Sequence, residues 1–435
     1  MNRPSTALLT DHYELTMLEG ALRSGVASHP ATFEVFTRRL PAGRGYGVFA
    51  GLGRLLDAME DFRFGPEEIG WLAQRRIVDS RTLEWLASYR FSGDVHAYRE
   101  GELYTAGSPV LTVEGRFGEA VLLETLVLSI LNHDSAIAAA AELLVRAAAG
   151  RPVIEMGSRR TDTGAAVAAA RAAYLAGFAS SSNLEAGRRW GVPTAGTSAH
   201  AFTLVHDSER DAFAAQVAAL GPDTTLLVDT FDTDAGIRLA VEVAGKGLGA
   251  VRIDSGDLVR EARAARRLLD ELGNTETRVV VTGDLDDRSI AALAAAPVDG
   301  YGVGTNLVTG LGHPTAGFVY KLVSVGPDGG AQRPVAKQSP GKATVGGRKW
   351  AWRACLDGPP PVYEGPPVLD AGPVWADVVG VEADPPPAGG RPLQDQVVTA
   401  GRIASPPPLE ELRAAHAASS AQLQAGRPLI VVRRD

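Results

Sequence analysis

From residue 152 onward the chain alternates between two kinds of segment, and this alternation limits the folds open to it. Seven short apolar or β-branched runs recur: "PVIEMG" (152–157), "GFASSSN" (177–183), "GVPTAGT" (191–197), "TTLLVDT" (224–230), "GAVRIDS" (249–255), "TRVVVTGD" (277–284) and "GYGVGT" (300–305). Between most of them lie helical stretches such as "DSERDAFAAQVAAL" (207–220) and "DLVREARAARRLLDEL" (257–272), whose apolar residues return every three or four positions. Strands separated by helices of this length pair in parallel through crossover connections. Seven such strands suit either an open doubly wound sheet or a barrel. The strand ends decide for the barrel: Glu155, Asn183, Thr197, Asp229, Asp254, Asp284 and Thr305 are all polar. A barrel gathers those ends on one rim, where barrel enzymes do their chemistry, whereas an open sheet spreads them along an edge.

The flanks read differently. Residues 1–130 mix helices with β-like pieces, "ATFEVFTRRL" (31–40) and "GDVHAYREGELYTAGSPVLTVEGRF" (93–117), and the second has the alternation and Gly/Pro punctuation of an antiparallel sheet. Strand-like sequence returns at "KQSPGKATVGGRKWAWRAC" (337–355), and proline-rich stretches at 359–367, 384–387 and 406–408 read as loops. At 435 residues the chain exceeds the span of one core, so more than one domain is expected. The boundaries predicted are a barrel over 131–325 and a second α/β domain built from 1–130 and 326–435, ending in a proline-rich tail.

A net charge of −8 excludes a nucleic-acid backbone as the main partner, because no excess of Lys and Arg exists to displace counterions. A local basic cluster for a small anion remains compatible with it. Cys355 is the only cysteine, so no internal disulfide forms and a reducing compartment fits. The opening "MNRPSTALLTDHYELTMLEG" lacks the apolar core of a signal peptide, and "AVLLETLVLSIL" (120–131) is short for a bilayer and carries Glu124. The expectation is a cytoplasmic protein without a membrane partner.

Four stretches carry candidate chemistry. In "RIDSGDL" (252–258), Asp254 or Ser255 serves either as a helix cap or, with Arg252, as one side of a sugar-phosphate site; the carboxylate would take hydroxyls or a bound Mg²⁺. In "GYGVGTNLVTG" (300–310), three glycines and a Thr-Asn pair end a strand where backbone amides can approach a phosphate, a usual phosphate position after a late barrel strand. No GK[ST] follows, so this is not a nucleotide P-loop. In "EMGSRRTDTG" (155–164), an arginine pair between glycines is suited to a planar carboxylate, with exposed surface as the plain alternative. In "GVPTAGTSAHAF" (191–202), His200 follows a turn of very small residues; Thr197 and Ser198 are good helix caps, and the same smallness leaves room beside the imidazole. No HExxH, CxxC or GxSxG spacing is present, so the metal ligands stay unknown.

Taken in order, "TDHYELTM", "FEVFTRRLP", "EMGSRRTDTGAA", "GTSAHAF", "LLVDTFDT", "RIDSGDL", "VTGD", "GYGVGTNLV" and "GFVYKLV…KQSPGKATVGGRKWAWR" resemble the nicotinate phosphoribosyltransferase family across residues 8 to about 353. The resemblance implies an irregular seven-stranded parallel (β/α) barrel of the type II phosphoribosyltransferases with an α/β sandwich domain built from both flanks. It implies a homodimer with sites at the interface. The reaction implied joins nicotinate to phosphoribosyl pyrophosphate, giving nicotinate mononucleotide and pyrophosphate in NAD salvage, with ATP hydrolysis coupled to it and Mg²⁺ as cofactor.

Carried over motif by motif, His200 is the residue that ATP phosphorylates, Asp229 the carboxylate that orients it, and Asp254 a third catalytic group. Tyr13, across the dimer interface, would stack on the pyridine ring, and Arg159, Ser182 and Asn183 would meet its carboxylate. Arg252, Ser255, Gly283, Asp284, Gly304 and Thr305 would hold the phosphoribosyl unit. Arg38, Lys321, Lys337 and Lys342 would contact pyrophosphate and the ATP phosphates. Nicotinamide-using relatives carry an aspartate near Asn183, which would repel nicotinate, so the acid is expected over the amide. Met156 stands where the family usually has an aromatic beneath the ring. The competing readings are a nicotinamide- or quinolinate-using transferase and a catalytically silent metabolite-binding relative.

Overall fold

The computed structural model describes residues 4–339, 344–356, 374–381, 387, 389–424 and 429–433. The chain divides into two compact units, Ile137–Pro314 and the combination of Met1–Ala136 with Thr315–Asp435. The first division falls inside the long helix Glu124–Ala147. That helix is long and apolar enough to cross a membrane by length and composition, yet its most apolar window is 67% buried, as in the core helix of a folded domain.

Ile137–Pro314 holds the alternating elements. Its six-stranded sheet runs in the order Thr225–Leu227, Ala250–Ile253, Arg278–Val281, Gly300–Val303, Val153–Glu155, Ser180–Ser181. All five pairings are parallel, with Val281 opposite Ile253 and Tyr301, and Glu155 opposite Val303 and Ser181. The order is the chain order turned cyclically, because the last strand pairs with the first. The sheet is therefore a curled, six-stranded half-barrel. Leu226, Val251, Ile253, Val279, Val281, Tyr301 and Val303 are buried along it.

The helices of this unit start where short-range chemistry dictates. Asp162, Asn183, Ser208, Asp232, Asp257 and Asp286 each place a side-chain oxygen on an orphan amide of the turn that follows. Thr163–Leu175 has little sidedness and is buried almost throughout, because its alanines let neighbouring elements approach it closely.

The expected seventh strand is reduced. Within 191–197 one parallel bridge joins Thr194 to Ser181, through Ser181 N to Pro193 O (2.9 Å) and Ala195 N to Ser181 O (2.9 Å). Pro193 has no N–H to extend a ladder, and Gly191 and Gly196 weaken it further, so the segment follows the sheet edge as a loop.

The flank-built unit contains a seven-stranded antiparallel sheet in which both ends of the chain take part. Pro30–Thr37 lies between Phe318–Val325 and Leu111–Arg116, and Asp94–Tyr98 lies between Leu111–Arg116 and Gln394–Thr399. Phe33 stacks on Tyr320 with centroids 4.8 Å apart in its core. A four-stranded sheet around Lys349–Leu356 and Val374–Val381 completes it, and Arg353, 4% exposed, pairs there with Asp377 and Glu102. The proline runs expected at 359–367 and, except for Pro387, at 384–387 lie outside the described residues, and Pro406–Pro408 leads into the helix Leu409–Gln424.

Candidate active site

In the half-barrel, the loops after the parallel strands enclose a cavity of about 160 Å³ lined by Arg159, Asp254, Gly283, Asp284, Gly304 and Thr305, with Met156 and Thr282 among its walls. These residues follow three adjacent strands, Val153–Glu155, Arg278–Val281 and Gly300–Val303, and Asp254 follows a fourth, Ala250–Ile253. Of the seven polar strand ends expected at one mouth, Asp254, Asp284 and Thr305 line this cavity, and Glu155, Asn183, Thr197 and Asp229 do not.

The two carboxylates of "RIDSGDL" separate into different roles. Asp257 is the helix cap, accepting from Arg260 N at 3.2 Å. Asp254 lines the cavity, and its Oδ1 accepts from the Thr282 hydroxyl. Gly283 lies over the Asp254 backbone at φ +107°, and a Cβ there would come within 2.4 Å of the Asp254 carbonyl oxygen. Only glycine fits that crossing. Asp284 next to it has φ 45°, an uncommon left-handed conformation for a residue with a side chain, and Asn306 Nδ2 holds its carbonyl oxygen at 3.0 Å.

Asp229 ties this mouth to the imidazole. Its Oδ2 accepts from Asp254 N (2.9 Å) and from Ser255 Oγ (2.7 Å). Its Oδ1 is buried, has no hydrogen-bond partner, and lies 4.0 Å from Nε2 of His200. The His200 ring is hydrogen-bonded at its other nitrogen, Nδ1, to Thr230 Oγ1 at 3.1 Å. The orienting bond expected from Asp229 is thus made by its chain neighbour Thr230, because the side chain of Asp229 turns inward to the Asp254–Ser255 backbone. His200 opens the short helix His200–Leu204 behind Ala199, and neither Thr197 nor Ser198 caps it. Thr197 Oγ1 instead accepts from Arg252 at 2.6 Å.

Arg252 is a desolvated guanidinium. Burial lowers its pKa; Asp254 and Asp229 oppose that effect, while the nearby cation Arg159 adds to it. Its Nε is buried without a partner. Two neighbouring guanidiniums in a partly dry mouth favour an anionic ligand.

On the loop that carries Ser182 and Asn183 the structure changes one expectation. Asn183 Oδ1 caps the helix Leu184–Trp190 by accepting from Ala186 N (3.0 Å), and its Nδ2 donates to Ser158 Oγ (3.1 Å). The side chain read as a free donor is thus largely engaged by the helix it precedes. Ser182 is exposed, and the adjacent Ser181 is buried against Glu155. Glu155 is itself fully buried, and burial raises its pKa against the hydrogen bonds from Ser181 and Gly157. Glu155 stood among the polar strand ends without a role, and Ser181 and Thr230 were missed. The one signal for them was a hydroxyl residue within two positions of the strand ends Asn183 and Asp229.

The remaining expected residues belong to the flank-built unit. Tyr13, on the helix His12–Ser24, is half exposed; burial and the carboxylates of Glu124 and Glu14 raise the pKa of its hydroxyl. Lys321 Nζ is 3.5 Å from Glu124 Oε1. Arg38 follows Pro30–Thr37 with its Nε buried and unpartnered. Lys337 pairs through its backbone with Thr344, and Lys342 lies outside the described residues. Among the described residues no group of three or more His, Cys, Asp or Glu side chains is arranged to hold a metal ion.

Known proteins resemble this chain over most of its length. Residues 8–132 match the nicotinate phosphoribosyltransferase (NAPRTase) N-terminal domain, and residues 152–343 match the NAPRTase family. The chain is 61% identical over 360 residues to nicotinate phosphoribosyltransferase pncB1 of Mycobacterium tuberculosis, covering 81% of this chain and 79% of that one. It is 38% identical over 360 residues to nicotinate phosphoribosyltransferase of Bacillus subtilis, covering 80% and 73%. The crystal structure of human nicotinic acid phosphoribosyltransferase superposes with a TM-score of 0.79 at 27% identity, covering 98% of this chain and 97% of that one.

Proposed function

The chain belongs to the nicotinate phosphoribosyltransferase family, an enzyme joining nicotinate to phosphoribosyl pyrophosphate in NAD salvage, and we propose from that premise how its residues divide the work. The observation that carries the proposal is the cavity in which Arg159, Asp254, Gly283, Gly304 and Thr305 meet, with His200 joined to it through Asp229.

Arg252 and the loop amides at Gly283, Gly304 and Thr305 hold the phosphoribosyl phosphate, with Asp284 and Ser255 at its edge. Asp254, with Oδ1 fixed by Thr282, turns its other oxygen to the ribose hydroxyls. Arg159 and Ser182, with the remaining N–H of Asn183, bind the ring carboxylate. Tyr13 stacks on the ring across a homodimer interface, and Met156 covers the opposite face. The pyridine nitrogen attacks C1 of the ribose as the C1–O bond to pyrophosphate breaks, leaving the positive charge on the ring nitrogen. Arg38, Lys321, Lys337 and Lys342 offset the charge of the departing pyrophosphate.

ATP enters as a co-substrate whose γ-phosphoryl group moves to His200. In the tautomer that donates its Nδ1 proton to Thr230 Oγ1, the Nε2 on the side of Asp229 carries the lone pair and serves as the nucleophile. Mg²⁺ keeps several waters and binds through one or two carboxylates plus substrate phosphates, a demand that the unpartnered Oδ1 of Asp229 fits. When bound it would neutralise charge on the pyrophosphate. The reading includes a barrel over 131–325, irregular and seven-stranded if 191–197 counts as a strand, a flank-built sandwich domain, and a cytoplasmic location.

The test is pyrophosphate release from phosphoribosyl pyrophosphate with nicotinate or nicotinamide, each with and without ATP. Rapid, ATP-stimulated release with nicotinate alone is expected. Equal turnover of nicotinamide would defeat the specificity, and a wild type that never takes ³²P from γ-labelled ATP would defeat the phosphohistidine.

A further inference from the structure

We propose that Glu155 is a positioning residue for the pyridine substrate, its buried carboxylate locking the arginine-bearing turn to the Ser182–Asn183 turn so that both face the ring as one body. The proposal rests on the reading above that Arg159 and Ser182 meet the ring carboxylate.

Glu155 ends the strand Val153–Glu155, and Ser181, its register partner, ends the neighbouring strand. Both are fully buried. One carboxylate oxygen accepts from Ser181 Oγ, and the other accepts from the amide of Gly157, which turns the chain toward Arg159. Ser181 Oγ in turn accepts from Asn183 N at 2.9 Å. Asn183 Nδ2 then reaches back to Ser158 Oγ at 3.1 Å, and Ser182 N donates to the Glu155 carbonyl at 2.8 Å. The hydrogen bonds close a circuit through Glu155, Ser181, Asn183, Ser158 and Gly157, two turns from two strands.

Gly157 must lack a side chain for the circuit to close, since a Cβ would stand 2.3 Å from Val308 Cγ1. The carboxylate is held by a hydroxyl and an amide with no cation among the groups acting on it, an expensive way to fill a core. Its burial is better explained by geometry than by stability. Glu155 does not line the cavity, so it acts through the turns it joins.

The experiment is steady-state kinetics of the full chain with both substrates, together with thermal unfolding. Ser181→Ala and Glu155→Gln should raise KM for nicotinate roughly tenfold, with KM for phosphoribosyl pyrophosphate and kcat held within about threefold. Ser158→Ala, on the partly exposed side of the circuit, should shift nicotinate KM in the same direction with Tm unchanged. The Ser158→Ala, Ser181→Ala double variant should fall short of the product of the single effects, because both break one circuit. Both KM values rising together, or Ser158→Ala leaving nicotinate KM unchanged, would overturn the proposal. Arg159→Ala separates the two levels. If it raises nicotinate KM while the serine variants do not, the positioning role alone fails; if it has no effect, the ring-carboxylate reading fails and this proposal with it.

Discussion

Nε2 of His200 stands 4.0 Å from Oδ1 of Asp229, a buried carboxylate oxygen without a hydrogen-bond partner. The other oxygen of that carboxylate is occupied by Asp254 N and Ser255 Oγ, so the side chain cannot swing away. A carboxylate facing a ring nitrogen stabilises the imidazole whenever it becomes cationic, as the proposed phosphoryl transfer to it would require. Asp229→Asn is expected to keep the fold, because an amide oxygen can still accept from Asp254 N. It should lower ATP-stimulated turnover by about tenfold or more, with a smaller effect on turnover without ATP.

Thr230 supplies the hydrogen bond at Nδ1. Thr230→Val removes that partner at nearly constant volume and frees the ring to change tautomer. A fall in kcat of roughly tenfold is expected, with Thr230→Ser recovering most of it and Tm nearly unchanged in both. Equal losses in the valine and serine variants would show that the hydroxyl does not matter.

Gly283 crosses the Asp254 carbonyl in a left-handed conformation. Gly283→Ala adds a Cβ 2.4 Å from that oxygen, and the strain should cost ~1–3 kcal/mol. Unfolding should move to lower temperature, and KM for phosphoribosyl pyrophosphate should rise more than KM for nicotinate.

Glu14 is fully buried, and burial pushes its carboxyl up to about 7 despite hydrogen bonds from Thr10 and Thr125. The folded state therefore holds this proton more tightly than the unfolded chain does. Its contribution to stability is complete below the unfolded value near 4.5 and is lost as pH rises through about 7. Glu14→Gln should flatten the decline of Tm between pH 5 and pH 8. A wild-type slope preserved in the variant would assign the decline to other groups.

Much of the fold could be read before any coordinates. The strand–helix alternation arises from preferences within a few residues, and the antiparallel pairing within 93–117 was legible although it joins residues as far apart as Asp94 and Glu114. The cap read as Asp254 or Ser255 falls instead on Asp257, which accepts from Arg260 N three residues on. The gathering of Asp254, Asp284 and Thr305 at one mouth follows from parallel strands that all end on the same side.

What the pattern could not supply was the choice among equivalent neighbours. Asp229 and Thr230, and Ser181 and Ser182, are adjacent in the chain and Asp254 and Asp257 are three positions apart, yet the members of each pair meet different fates. Their roles depend on register between segments roughly thirty residues apart, and on which side of a pleat each side chain leaves. The loss of the seventh strand has the same origin, since Pro193 matters only once Ser181 lies beside it. Short-range backbone preferences are written in local order, whereas partners across a sheet are settled by packing the whole half-barrel. For that reason the chemistry of this site could be named from its motifs, while the atoms that aim it emerged from the folded chain.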